Sequence, residues 1–159
     1  MNDLDRMLIE RACERLVYEY SRRIDLGEAE RIADLFIEDA VWCGDIVLEG
    51  REAIRAWFTQ RGQLTRRVSR HVCTNVLIDV LSEDEATGLS YLVNYRHDRA
   101  EGDDQLPVPA NHPKYMGELR DTFRRTDAGW LFARREVDVA FLRARGTGAP
   151  DSSRAPERS

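Results

Sequence analysis

The sequence predicts an α+β fold, with helices covering one face of a curved antiparallel sheet. Helical periodicity dominates the N-terminal part. Four long alternating strands follow from residue 67, and polar turn clusters separate most of them. The chain has 159 residues, 42% apolar and 33% charged, enough for one domain with a real core. We expect that domain over residues 1–143 and a disordered tail over 144–159, which is rich in Gly, Ser, Pro and Arg.

The elements follow in order. Leu4, Leu8, Ala12, Leu16, Tyr20 and Ile24 recur every four residues, widened by Ile9, Cys13 and Val17, so residues 3–26 read as a helix. Gly27 is its stop. Ile32, Leu35 and Phe36 suggest a short second helix over 28–37. Asp39–Cys43 reads as a strand and Ile46–Leu48 as its hairpin partner. Ile54, Trp57 and Phe58 face inward from a third helix, about 51–61. Residues 67–81, 85–98, 115–126 and 130–143 read as strands. The connection from Glu101 to Lys114 carries Pro107, Pro109 and Pro113, and its length suggests a lid or an interface arm. In strand 67–81, strict alternation puts His71, Cys73, Asn75 and Leu77 on one face. Val72, Thr74, Val76, Ile78 and Val80 share the other. Helices cover one face only, so the second predicts a homo-oligomer.

Composition excludes several classes. A net charge of −5 with acids interspersed among the arginines disfavours nucleic acid. No apolar run approaches a membrane span, and the start has Asp3 and Asp5 rather than an apolar leader, so no membrane partner is expected. Cys13, Cys43 and Cys73 read as buried free thiols of a cytoplasmic protein. The sequence has no HxxxH, HExxH, CxxC, Gly-rich phosphate loop or GxSxG, so neither a metal nor a cofactor is expected.

Among chemically capable residues, His71 stands out. It reads either as a satisfied core histidine or as a general base, work suited to an imidazole whose ordinary pKa is about 6.5. A nearby carboxylate would fix its tautomer. His97, near a strand end, and His112, in the Pro-bearing loop, read as surface residues. Asp25 lies at the expected end of the first helix. On an ideal helix it sits about 140° from Tyr20, so the two should not share one core face. Tyr20, Trp42, Trp57, Phe58, Tyr91, Phe123 and Phe132 are the aromatics near the expected core, as packing or as pocket lining. Arg125, on the face of Phe123, is either an exposed turn residue or an inward group holding a carboxylate, enolate or leaving group.

Several motifs together resemble the SnoaL-like proteins of the nuclear transport factor 2-like superfamily. They are Asp25 before a turn, Asp39-Ala40-Val41-Trp42, Trp57-Phe58-x-x-Arg61, Arg70-His71-x-x-x-Asn75-x-x-Ile78-Asp79 and Gly88-x-Ser90-Tyr91. The resemblance covers about residues 3–143. It is strongest to the branch holding scytalone dehydratase, hexachlorocyclohexane dehydrochlorinase and the bile-acid dehydratase. It implies a cone-shaped, curved antiparallel sheet wrapped on the N-terminal helices (a cystatin-like α+β barrel) and a homo-oligomer, with a trimer favoured over a dimer. It also implies that Asp25 and His71 form a catalytic pair. Tyr20 stands where the dehydrochlorinase has a Lys and the bile-acid dehydratase a Tyr. Arg125 resembles an Arg before the dehydrochlorinase's Asp-Gly-x-Trp turn. Ile24 stands where scytalone dehydratase has a Tyr, which departs from that enzyme's pattern, and His97 is off register for its second histidine.

The implied activity is that of a cofactor-independent, dehydratase-type lyase on a small cyclic or polyketide-like molecule. His71 would take the proton, Asp25 would hold the imidazole, and Tyr20 or Arg125 would steady developing charge. Trp42, Asn75, Trp57 and Phe123 complete the set expected to meet a small apolar or aromatic substrate. Two alternatives remain at this stage. One is a non-catalytic small subunit of an aromatic-ring-hydroxylating dioxygenase. The other is a ligand-binding or isomerase relative with a carboxylate base.

Overall fold

The computed structural model describes residues 1–144. Residues 145–159, nearly all of the expected tail, lie outside the described residues. Helix α1 (Asp3–Asp25) opens the chain. A 3₁₀ helix (Ala29–Leu35), β1 (Phe36–Cys43), β2 (Val47–Glu49) and α2 (Arg51–Gly62) follow. β3 (Arg67–Val80), β4 (Glu85–Asp98), β5 (Tyr115–Thr126) and β6 (Gly129–Leu142) complete it. The strands form one curved, unclosed sheet in the order β2-β1-β6-β5-β4-β3. All neighbours are antiparallel except β1 and β6, which run parallel.

Local chemistry explains the ends of α1. Asn2 and Asp5 cap each other reciprocally, with Asp5 N–H donating to Asn2 Oδ1 at 2.9 Å and Asn2 N–H to Asp5 Oδ2 at 3.2 Å. At the other end Gly27 adopts φ +80°, and Glu28 N–H reaches back to the Arg23 carbonyl at 2.8 Å. That is the six-residue closure a left-handed glycine permits. The buried face of α1 is Ile9, Cys13, Val17, Tyr20 and Ser21, whereas Leu4 and Leu8 are exposed. The sheet meets only the helix's later turns. Residues 28–37 also differ from expectation: the helix is 3₁₀ and β1 begins at Phe36. Buried Leu35, Phe36 and Ile37 run straight across the junction, so apolar spacing alone does not mark it.

Bulges set which side chains face inward. On β3 the pairing jumps from Thr74 with Tyr91 to Leu77 with Leu89, so two residues oppose one. Asn75 takes φ +51° there. Below the bulge Ser69, His71 and Cys73 face the core; above it Val76, Ile78 and Val80 do. The strict alternation read from sequence therefore fails midway. Val76, Ile78 and Val80 join the core, and Asn75 and Leu77 turn outward. A second shift, between Thr122 and Phe123 of β5, leaves Ala133 of β6 unpaired and puts Phe132 and Arg135 on the same inner face. A third bends the same pair near Gly117, where a Cβ would lie 2.1 Å from the Asp138 carbonyl oxygen and only glycine fits.

The core is an aromatic cluster between α1, α2 and the inner face of the sheet. The Tyr20 ring meets Phe36, Phe58 and Phe132 edge-on, with centroids 6.3, 5.8 and 6.2 Å away. Such pairs contribute about 0.5–1.5 kcal/mol each beyond their buried area. The outer face of the sheet exposes Val72, Leu77, Tyr91, Tyr95 and Phe141.

Candidate active site

The site is built along the seam between α1 and β3. Four residues of helix rise about 6 Å and two residues of strand about 6.6 Å, so Ser21 and Asp25 step in register with Cys73 and His71. Ser21 Oγ lies 3.1 Å from Cys73 Sγ. One helical turn later Asp25 receives three contacts. Ser69 Oγ donates to Oδ1 at 3.1 Å, the His71 backbone N–H donates to Oδ2 at 2.7 Å, and His71 Nδ1 lies 2.7 Å from Oδ1. Since β3 is an edge strand, its outward amides have no ladder partner, and Asp25 answers the one at His71.

The helical-wheel difficulty resolves in the same geometry. Tyr20 and Asp25 do point in different directions, but the curved sheet surrounds the helix. Tyr20 meets β1 and β6, while Asp25 meets β3.

The side chains of His71 and Asp25 are 6% and 9% exposed. The carboxylate accepts, so Nδ1 carries the proton and Nε2 offers its lone pair. Among the described residues Nε2 has no hydrogen-bond partner. The arrangement is an oriented imidazole with one nitrogen committed and one available, suited to taking a proton.

The remaining sequence-nominated residues divide. Trp42 is buried, and its Nε1 donates to the Tyr20 hydroxyl at 2.9 Å. Burial raises the Tyr20 pKa well above the ordinary phenol value, against a smaller opposing effect of Arg135. Tyr20 therefore stays protonated and keeps its own O–H to donate. Trp57 is half-buried and stacks on Trp42 with centroids 5.3 Å apart. Phe123 is fully enclosed against Phe132, a packing position with no free surface. Asn75 is exposed at the β3 bulge, where its Oδ1 accepts from Thr74 Oγ1 at 2.8 Å. Arg125 keeps the face of Phe123 but is exposed, at the β5–β6 hairpin end opposite Trp130, beyond the core. His97 is half-buried on β4 and His112 exposed.

Sequence reasoning missed Arg135. It is fully buried on β6 and bound twice by Asp121 of β5, Nε and Nη2 each donating at 2.7 Å. Its guanidinium lies 4.2 Å from the ring centroids of both Tyr20 and Phe132. Burial opposes its charge, but Asp121 outweighs burial and holds the pKa above the ordinary value. Only the Ala133 bulge turns it inward, and the sequence gives no local signal for that. Arg61, the last residue of the Trp-Phe-x-x-Arg motif, was legible but given no role. Its guanidinium lies 5.3 Å from the Trp57 ring centroid.

The three thiols are free, and burial pushes Cys13 up to about 12 and raises Cys73 as well, so both stay protonated. Among the described residues no three or more His, Cys, Asp or Glu side chains gather as a metal site. None of the described helices is long and apolar enough to cross a membrane. A cleft of about 470 Å³ lies between Glu38, Glu49, Gly50 and the start of α2, and it contains neither Asp25 nor His71.

Comparison with known proteins gives a consistent result. The SnoaL-like domain family matches residues 5–136. No curated protein matches. A protein from Novosphingobium aromaticivorans DSM 12444, described as a candidate scytalone dehydratase, is similar at 25% identity and TM-score 0.73, over 96% of this chain and 98% of its own. An NTF2-like protein with a cystatin-like fold, also from Novosphingobium aromaticivorans, is 27% identical at TM-score 0.69, over 86% of this chain and 85% of its own. LinA shares the fold at 20% identity and TM-score 0.70, over 95% of this chain and all, 100%, of its own.

Proposed function

The chain belongs to the SnoaL-like domain family of the NTF2-like superfamily, and from that premise we propose that it is a dehydratase-type lyase acting on a small cyclic or polyketide-like molecule. The observation that carries this reading is the 2.7 Å contact between Asp25 Oδ1 and His71 Nδ1, with the second carboxylate oxygen tied to the His71 amide. A purely structural histidine has no need of a carboxylate fixed at three points. A non-catalytic small subunit would leave that pair without a task. The likeness to a protein described as a candidate scytalone dehydratase supports the same reaction class.

In this reading His71 Nε2 removes a proton from the carbon next to a carbonyl. The C–H electron pair moves into the carbonyl as an enolate, and Tyr20, kept as a phenol, donates to that oxygen. When the enolate collapses, the C–O bond of a β-hydroxyl breaks and the hydroxyl leaves as water with the proton that His71 carried. Asp25 steadies the imidazolium throughout.

The test uses cyclic β-hydroxy ketones in deuterated water, following enone absorbance and deuterium uptake at the α carbon. His71→Ala is expected to lower both by about 10²–10⁴ while leaving the circular dichroism spectrum intact. An unchanged rate in that variant would remove the assignment.

The outer sheet face supports assembly as well. Val72, Tyr91, Tyr95 and Phe141 form an apolar surface of the kind that associates. We place a homotrimer first and a dimer second, in a reducing cytoplasm where the thiols stay free. Light scattering is expected to give three protomer masses; a single mass at micromolar concentration refutes assembly through this face.

A further inference from the structure

Arg61 sits in the last turn of α2, half-buried. The other arginines turned into the protein have bonded partners: Arg51 and Arg99 donate to the Phe36 and Thr65 carbonyls, and the rest bind carboxylates. Arg23 pairs with Glu19, Arg67 and Arg96 share Asp98, and Arg135 binds Asp121. Among the described residues Arg61 pairs with none. It rests instead on the Trp57 ring. Its electrostatic neighbours make the omission sharper. Burial lowers its pKa first, then Arg67, with Arg96 acting in the same sense; Tyr20 and Tyr115 act in the opposite sense. Three guanidiniums thus share this corner with one bonded carboxylate, Asp98. Asp45 acts on Tyr115 but is exposed and makes no ion pair with Arg61.

A half-buried cation without a counterion costs stability and persists where something else answers it. The place is telling. Tyr115 is half-buried and lies in line with His71 across the sheet, since Asn94 pairs with both, and Arg61 acts on its hydroxyl. Arg61 also acts on Tyr20, which shares a hydrogen bond with Trp42. The guanidinium thus stands at one end of a row of contacts through Trp57, Trp42 and Tyr20, and the cross-strand row of Tyr115, Asn94 and His71 shares the same inner face.

We propose that Arg61 binds an anionic group on the substrate, at its end of this aromatic row. This deepens the lyase reading and rests on it for the word substrate, but anion binding itself does not depend on turnover. The substrate class becomes a flat, apolar molecule with one acidic substituent, a carboxylate or a phosphate. Arg61 orients the molecule by that substituent and offers the C–H bond at its other end to His71. The planar fork matters, because a point charge holds an anion without fixing its angle.

Titration of the intact protein with 2-naphthoate, 2-naphthyl phosphate and neutral 2-naphthamide, followed by tryptophan fluorescence, tests this. Wild type is expected to bind at least one anion about tenfold or more tighter than the amide, the ordinary advantage of a charge-assisted hydrogen bond. The stronger anion identifies the substituent, and either result supports the site. Arg61→Gln is expected to abolish the gap and Arg61→Lys to reduce it. His71→Ala is expected to keep the gap, so loss of the catalytic reading and loss of this one are separable. Equal behaviour of anions and amide in wild type, including no binding by any, overturns the proposal. So does a gap that survives in both Arg61 variants.

Discussion

Asp25 with His71 and Asp121 with Arg135 are both buried pairs held at 2.7 Å, one on the α1–β3 seam and one across β5 and β6. They are built alike and work differently. Arg135 is enclosed by the Tyr20 and Phe132 rings and cannot give up its proton, so its charge is fixed. Its remaining nitrogen, Nη1, is buried without a hydrogen-bond partner. The ring faces are the groups that answer it. His71 keeps a free nitrogen that is able to take a proton and give it back. Burial with a counterion therefore does not define a site. A site also needs a group whose protonation is able to change and an atom left uncommitted.

Substitutions that separate the two pairs sharpen that contrast. Asp25→Asn has the largest expected effect. The amide no longer enforces the Nδ1–H tautomer, and turnover in the β-hydroxy ketone assay is expected to fall by about 10²–10⁴. Urea unfolding should show a far smaller change. Equal losses in rate and stability would make the seam pair structural, like the other one.

Arg135→Met is expected to do the reverse. It leaves Asp121 charged and unpaired in the core, a cost of about 3–5 kcal/mol in urea unfolding. Adding Asp121→Leu should return most of that loss, since no buried charge then remains. A double variant no better than the single one would mean that the pair contributes net stability of its own.

A carboxylate at the edge of α1, Glu19, completes the series with the smallest effect. Hydrogen bonds from Arg22, then from Arg23, lower the Glu19 pKa from 4.5 to about 2. A carboxyl depressed in the folded state stabilises above its unfolded pKa and loses that contribution as pH falls through the folded one. Glu19 therefore supports the fold above about pH 4.5, and the support fades toward pH 2. Acid titrations of wild type and Glu19→Gln should diverge above this window and converge at its acid end. Curves that stay parallel throughout would assign the acid response to other groups.

The legibility of the sequence differed along the chain for definite reasons. Four-residue spacing marked α1, and Gly27 marked its end, because local backbone chemistry sets both. The long strands were legible for the same reason, and β4 and β5 have the expected bounds. The pair Asp25 and His71 was legible only through motif resemblance. Asn75 was misplaced because alternation assumes an uninterrupted pleat, and the β3 bulge turned it out. Arg125 keeps the face of Phe123, but the strand carries it past the core to the rim of the hairpin. Arg135 was invisible because strict alternation gives the face of Phe132 to Arg134.

The sequence by itself determined the helices, the long strands and the chemical types available, since these depend on neighbours within a few residues. Tertiary structure alone decided which types meet. The curl of the sheet let one helix present Tyr20 and Asp25 to different strands. Single-residue bulges on β3 and β6 changed the facing of the side chains that follow each of them. Contacts between residues 46 apart, such as that of Asp25 with His71, depend on the summed bend of the sheet, and no local window of sequence contains that sum.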